Sequence, residues 1–213
     1  KCRRLQCTIR IMANVKGGKM SFAPSLGKFI ETSIRQYKKS HFEALDNLTP
    51  DELAFRPGPE SMSIGFIAWH CARVHDFLVQ SVMKSEPELW LTQDWATAFN
   101  RAPADPKDRG FGFSTEDLNN FETPSLSILL DYTEAVFANT VLHLQSLDDN
   151  GLSNTWVDSP AGGKFTLSTV YLQMIWEMNQ HGGQMAYVRG MQKGIEDPTK
   201  RSLIWDEARE QRS

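Results

Sequence analysis

Apolar residues recur at alternating steps of three and four along four long stretches of the chain, which places them on one face of an α-helix. The predicted helices cover residues 25–47, about 64–84, about 124–147 and 166–194. The second stretch is apolar nearly all round, which indicates a position inside a bundle. The pattern therefore predicts an all-α protein built as a four-helix bundle.

The connections between these helices differ in length. Residues 86–123 are rich in proline and glycine, with a short helix expected between Glu86 and Asn100. The sequence therefore predicts a long crossover between the second and third helices, which would let them run parallel to each other. Residues 156–165 predict a small hairpin or extended turn that leads into the last helix.

The last helix carries the most informative stripe of the chain. It begins apolar, turns polar for three consecutive layers and becomes apolar again. The residues expected on this inward face are Val170, Met174, Glu177, His181, Gln184, Val188 and Met191. A carboxylate and an imidazole four residues apart lie on the same side of a helix, with Cβ atoms about 6 Å apart.

Burying the Glu177 carboxylate in such a stripe costs several kcal/mol unless it is paired. Two arrangements satisfy it. Either Glu177 pairs with a buried cation or hydrogen-bond donor, or Glu177 and His181 bind a metal together. Gly182 and Gly183 follow directly, and either close helix packing or ligand access explains glycine inside a helix.

Net charge argues against one class of partner. Residues 1–19 hold six basic residues and no acid, so residues 20–213 carry 17 basic against 26 acidic residues, a net charge of −9. This balance does not favour non-specific binding of nucleic acid. No apolar run approaches the roughly 20 residues that cross a bilayer, so no membrane partner is expected.

The ends of the chain are expected to lie outside the bundle. We interpret residues 1–19 as a disordered basic extension, with Met20 near the natural start, residues 20–194 as the bundle, and residues 195–213 as a polar tail. Cys71 is the one cysteine of residues 20–213 and is expected in the core. Without a disulfide framework, the cytoplasm is the expected compartment.

Two stretches of this sequence resemble the DinB-like superfamily of bacterial four-helix bundles. One is Pro-Gly-Pro-Glu-Ser-Met-Ser-Ile-Gly-Phe-Ile-Ala-Trp-His at residues 57–70, similar to the family's entry into its second helix. The other is Glu-Met-Asn-Gln-His-Gly-Gly-Gln at residues 177–184, similar to the family motif of two ligands four residues apart followed by Gly-Gln. The resemblance covers about residues 24–194.

The resemblance implies a divalent-metal site made by His70, Glu177 and His181, with Gln184 orienting a ligand from outside the coordination sphere. Position 177 departs from the family, which commonly has histidine there. Glutamate still suits zinc or nickel, the expected metals, as well as iron or manganese. The alternative is a lost site, in which the three residues form a buried polar network. His41 is the reserve ligand, whereas the position of His143, off its helix's apolar stripe, predicts exposure.

The resemblance also implies a function. Relatives include metal-dependent S-transferases and isomerases that use low-molecular-weight thiols such as mycothiol or bacillithiol, so a small-molecule substrate and a thiol cofactor are expected. Two alternatives stay open: a metal-dependent hydrolase, although no separate general base stands out, and a non-catalytic bundle that binds a metal or small molecule. A homodimer through an apolar helix face is also open.

Overall fold

The computed structural model describes residues 25–194. The predictions for residues 1–19 and for the tail at 195–213 lie outside these residues. In chain order the elements are α1 (Leu26–Leu45), α2 (Pro50–Ala54), α3 (Ile64–Asp76, continued by a π-helical segment Phe77–Lys84), α4 (Leu89–Thr92), α5 (Trp95–Ala98), α6 (Thr115–Asn119), α7 (Leu126–Gln145), α8 (Asp149–Asn154), β1 (Trp156–Asp158), β2 (Lys164–Thr166) and α9 (Leu167–Lys193).

The long helices pack as a four-helix bundle. Helix α1 contacts α9 and α7, and α3 contacts α7 and α9, so the helices follow the order α1, α9, α3, α7 around the bundle. Every residue of α3 is buried, as the apolar sequence of this helix predicts. The all-α prediction is confirmed, and none of the helices in residues 25–194 is long and apolar enough to cross a membrane.

The crossover prediction is also confirmed. Gly65, near the start of α3, lies against Thr123, just ahead of α7. Near the far end, Lys84 donates a hydrogen bond to Asn139. The two helices therefore run in the same direction, which only a long connection permits. That connection carries α4 to α6, and the predicted hairpin is the antiparallel pair β1 and β2, with Val157 opposite Phe165.

A buried ionic cluster fastens the crossover to α3. Arg73, fully buried, donates to Glu88 at 2.7 Å and to the backbone carbonyl of Asp108 at 3.0 Å. The Asp76 carboxylate accepts hydrogen bonds from the backbone N–H groups that begin α4 and from the hydroxyl of Tyr132. Arg73 and Asp76 thus hold the start of the connection, and its middle at Asp108, against α3.

Two predictions about exposure were wrong. Met191 was expected on the inward stripe but is 53% exposed. A strict seven-residue repeat drifts about 20° per heptad on a straight helix, so three heptads turn the inward face away from Met191. The buried Arg189 lies there instead and donates to carbonyls at the end of α1. His143 is half-buried rather than exposed, because its Nδ1 pairs with the Tyr171 hydroxyl at 2.9 Å.

Helix α7 begins slightly later than predicted, at Leu126. The side chain of Ser125 accepts a hydrogen bond from the Ile128 N–H and caps the helix. Residues 123 and 124 therefore belong to the crossover.

The two glycines of α9 have different surroundings. A Cβ atom at Gly182 would lie 2.9 Å from the imidazole of His41, whereas a Cβ at Gly183 would have no neighbour within 4 Å. Close helix packing therefore explains Gly182 and leaves Gly183 unexplained.

This difference predicts opposite effects of the same substitution. We expect Gly182→Ala to lower the free energy of unfolding by about 1–3 kcal/mol, because the methyl group overpacks against His41. Gly183→Ala is expected to raise it by up to about 1 kcal/mol through helix propensity. Urea unfolding of both variants measures the effects. Equal changes at the two positions would contradict the packing argument.

Candidate metal centre

The structure brings His70, Glu177 and His181 together at one point in the bundle. Their potential ligand atoms lie within 4.8 Å of one another. His181 Nε2 is 3.3 Å from Glu177 Oε1, and His70 Nε2 is 4.0 Å from the same oxygen. The pair on α9 is one helical turn apart, while His70 faces it from α3.

Both histidines are held in the orientation that a metal site needs. The Nδ1–H of His70 donates to the backbone carbonyl of Arg109, and the Nδ1–H of His181 donates to Gln184 Oε1 at 2.7 Å. These bonds leave both Nε2 atoms facing Glu177. Metal-binding histidines generally fix their second ring nitrogen in this way, so the donor set fits a divalent metal.

The electrostatics of the cluster agree with this arrangement. Burial lowers the pKa of His70, which favours the neutral ring with a free lone pair. The hydrogen bond to His181 lowers the pKa of Glu177, and the same bond raises the pKa of His181. A metal would displace the proton shared by this pair, and metal affinity would therefore increase with pH.

Aromatic rings enclose His70 on two sides. Phe66 stacks parallel to its ring at 6.1 Å, and Phe111 from the crossover packs edge-on at 5.1 Å. The rings of His70 and His181 are themselves 5.0 Å apart. The side chains of Glu177 and His181 keep only 16% and 12% of their surface exposed, so water has limited access to the cluster.

His41 and Cys71 do not join the cluster. His41 is buried, and its Nε2–H donates to the Met178 carbonyl at 2.8 Å. Burial lowers the pKa of this histidine to about 4. Cys71 is a buried free thiol whose pKa is raised by burial. The reserve role for His41 is therefore wrong, while the core position of Cys71 is confirmed.

A cavity of about 520 Å³ opens beside the cluster, with Glu177 in its wall. This volume lies within the roughly 300–1,000 Å³ typical of small-molecule sites. The wall is mainly apolar and comes from α3, the π-helical segment, the crossover, the hairpin and α9. Its residues are Val74, Phe77, Leu78, Val82, Arg109, Phe111, Ser159, Pro160, Ala161, Phe165, Val170, Gln173 and Glu177.

Sequence reasoning missed Arg109. Its backbone carbonyl holds His70 and its side chain lines the cavity. It lies in Asp108-Arg109-Gly110, inside a crossover without periodicity, so no helical pattern identifies it. The available signal is Gly110, which has a φ of +82° and would place a Cβ 3.1 Å from the Nδ1 of His70. Glycine there permits the close approach of the loop.

Comparisons with known proteins agree with this fold. A conserved protein from Enterococcus faecalis superposes with a TM-score of 0.68 at 22% identity, over 79% of this chain and 98% of its own. A DinB-like protein from Bacillus cereus superposes with a TM-score of 0.51 at 21% identity, over 80% of this chain and 94% of its own. At these identities the likeness concerns the fold alone.

Sequence comparisons identify the family. A search of curated protein sequences found no significant match. The sequence profile of the DinB superfamily matches residues 39–185, which is more than half of the chain. The matched segment includes His70, Glu177 and His181. The chain therefore belongs to the DinB superfamily.

Proposed function

We propose that this protein is a divalent-metal-dependent enzyme that transfers or isomerises small molecules with the help of a low-molecular-weight thiol. The observation that carries the proposal is the pair of fixed histidines, whose Nε2 atoms both face Glu177 in the wall of an apolar cavity. Zinc or nickel suits this donor set best, and iron or manganese is also compatible.

The number of ligands supports an enzyme over a structural metal site. No fourth histidine, cysteine or carboxylate joins the cluster within residues 25–194. Structural zinc sites are usually closed by four protein ligands, whereas catalytic sites keep a position open. A divalent metal bound here would supply a Lewis acid that lowers the pKa of a thiol.

The residues of the chain would then bind and orient the reactants. Arg109 and Gln184 hold the two imidazoles by hydrogen bonds, which fixes the donor atoms before a thiol arrives. The apolar cavity would hold the electrophile beside Glu177 and exclude water from it. The thiol would lose its proton to solvent, and its sulfur would form the new bond to carbon while the leaving group departs with its electron pair. In an isomerisation the sulfur–carbon bond would form and then break, and the released thiolate would take up a proton again.

The test compares metal-reconstituted wild-type protein with Glu177→Gln in thiol-consumption assays. A panel of low-molecular-weight thiols and electrophiles is used, and free thiol is measured over time. We expect consumption by the wild type and loss of at least about a hundredfold in rate in Glu177→Gln, because the anionic ligand is removed. Trp176→Ala, an exposed position in the same helix, is the control and should retain the rate.

The result also separates the alternatives. Metal binding without thiol consumption across the panel would overturn the proposal and favour a metal- or ligand-binding bundle. In a bundle whose Glu177 binds no metal, removing this buried charge would be neutral or stabilising.

A further inference from the structure

The charged groups of the cavity point to the chemistry of its ligand. Among the described residues that line it, only Arg109 and Glu177 carry a charge at neutral pH. Glu177 is hydrogen-bonded to His181 and belongs to the metal cluster. Arg109 is therefore the group left to recognise a charge on a ligand.

The guanidinium of Arg109 is held in place by the protein. It stacks over the ring of Phe77 at 3.9 Å, and its Nη1 donates to the Pro106 carbonyl at 2.6 Å. Only 18% of the side chain is exposed. Stacking and a backbone contact orient the planar group in advance, so little conformational entropy would be lost on binding an anion.

The hydrogen bonds of Arg109 are incompletely used. Its Nε is buried and has no hydrogen-bond partner within residues 25–194. Glu88 Oε1 is 3.5 Å from the Nη1 of Arg109, but the second oxygen of this carboxylate pairs with Arg73 at 2.7 Å and Oε1 itself accepts from Ser81. A buried donor without a partner is unfavourable, so the guanidinium of Arg109 keeps unused hydrogen-bonding capacity beside the cavity.

We propose that the cavity takes a substrate with an apolar body, of the size of one or two rings, and a carboxylate-type anion that the guanidinium of Arg109 binds. The inference rests on the proposed function, because it names the substrate of the same site. Arginine suits a planar carboxylate since its donors form a fixed fork. The apolar wall, made of residues such as Phe77, Phe111 and Phe165, would contact the body.

The experiment measures binding of two probes of equal size to metal-free protein: 2-naphthoate, which is anionic, and 2-naphthalenemethanol, which is neutral. Titrations follow ligand NMR signals in wild type, Arg109→Met and Arg109→Lys. We expect the wild type to prefer naphthoate by about tenfold, and Arg109→Met to lose about 10- to 100-fold in naphthoate affinity while the neutral probe changes less than about twofold. Arg109→Lys should retain part of the preference.

Two further measurements separate loss of the anion contact from loss of folding. Circular dichroism shows whether Arg109→Met folds. If it does not fold, binding of both probes to the wild type is measured from low salt to about 1 M. The affinity for naphthoate should then fall with rising salt, while the affinity for the neutral probe stays unchanged. Equal binding of the probes, absence of binding of both, or naphthoate affinity unaffected by Arg109→Met would each overturn the inference. Because metal and thiol are absent, failure of the proposed enzymatic function leaves this binding result intact.

Discussion

Metal bound by the protein is expected to disappear when His70 is replaced by alanine. In the wild type, His70, Glu177 and His181 present ligand atoms within 4.8 Å of one another. Losing one of three ligands should weaken affinity by more than the 10- to 100-fold typical of losing a hydrogen-bond partner of a ligand. Purification without chelator, dialysis against a competing ligand and elemental mass spectrometry give the metal content per chain.

Two other variants calibrate this measurement. Gln184→Ala removes the acceptor of the His181 Nδ1–H and should weaken metal binding by about 10- to 100-fold. His143→Gln removes a histidine that pairs with Tyr171 instead of the cluster, and its metal content should equal that of the wild type. Unchanged metal in His70→Ala would place the ion elsewhere, and no metal after reconstitution would favour the polar network without an ion.

Arg73→Met is expected to produce the largest loss of stability. Arg73 is fully buried and pairs with Glu88 at 2.7 Å, with Asp76 3.6 Å away. Methionine fills much of the volume but leaves the buried Asp76 without a cation and leaves Glu88 with only the more distant Arg109, at 3.5 Å. Removing one partner of a buried ion pair typically costs about 3–5 kcal/mol. Urea unfolding followed by circular dichroism measures the change.

The control for this variant is Arg35→Met. Arg35 is half exposed and pairs with Glu31 on the surface of α1, where an ion pair is worth at most about 1 kcal/mol. The double variant Arg73→Met with Glu88→Gln should recover part of the lost stability, since one unpaired carboxylate becomes neutral. A loss below about 1 kcal/mol in Arg73→Met would show that the network does not support the fold.

The sequence predicted the parts of the site that lie on helices. Glu177 and His181 are one turn apart on a periodic stripe, so their shared face follows from helical geometry alone. The likeness of residues 57–70 to the family motif added His70. Their convergence needs only the packing of α3 against α9, which a four-helix bundle provides.

The parts of the site that depend on the crossover could not be predicted. The carbonyl of Arg109 reaches His70 because Gly110 adopts a left-handed conformation. Every residue has a backbone carbonyl, so the residue type does not show which carbonyl accepts a hydrogen bond from His70. Arg73 lies in the apolar sequence of α3, where periodicity does not show which residues of the crossover lie opposite it. The exposure of Met191 was predicted wrongly for another reason. The predicted stripe follows a repeat of 3.5 residues per turn, whereas an α-helix has 3.6 residues per turn.

The position of the candidate metal centre has a consequence for the folding of the chain. His70 and Glu177 are about a hundred residues apart in sequence, and they meet only when α3 and α9 have packed. An ion that binds both would act as a reversible cross-link closing a very long loop, and because the unfolded chain has no such site, the binding free energy would add to the folding free energy. The melting temperature of the protein would then rise with the concentration of free metal in solution.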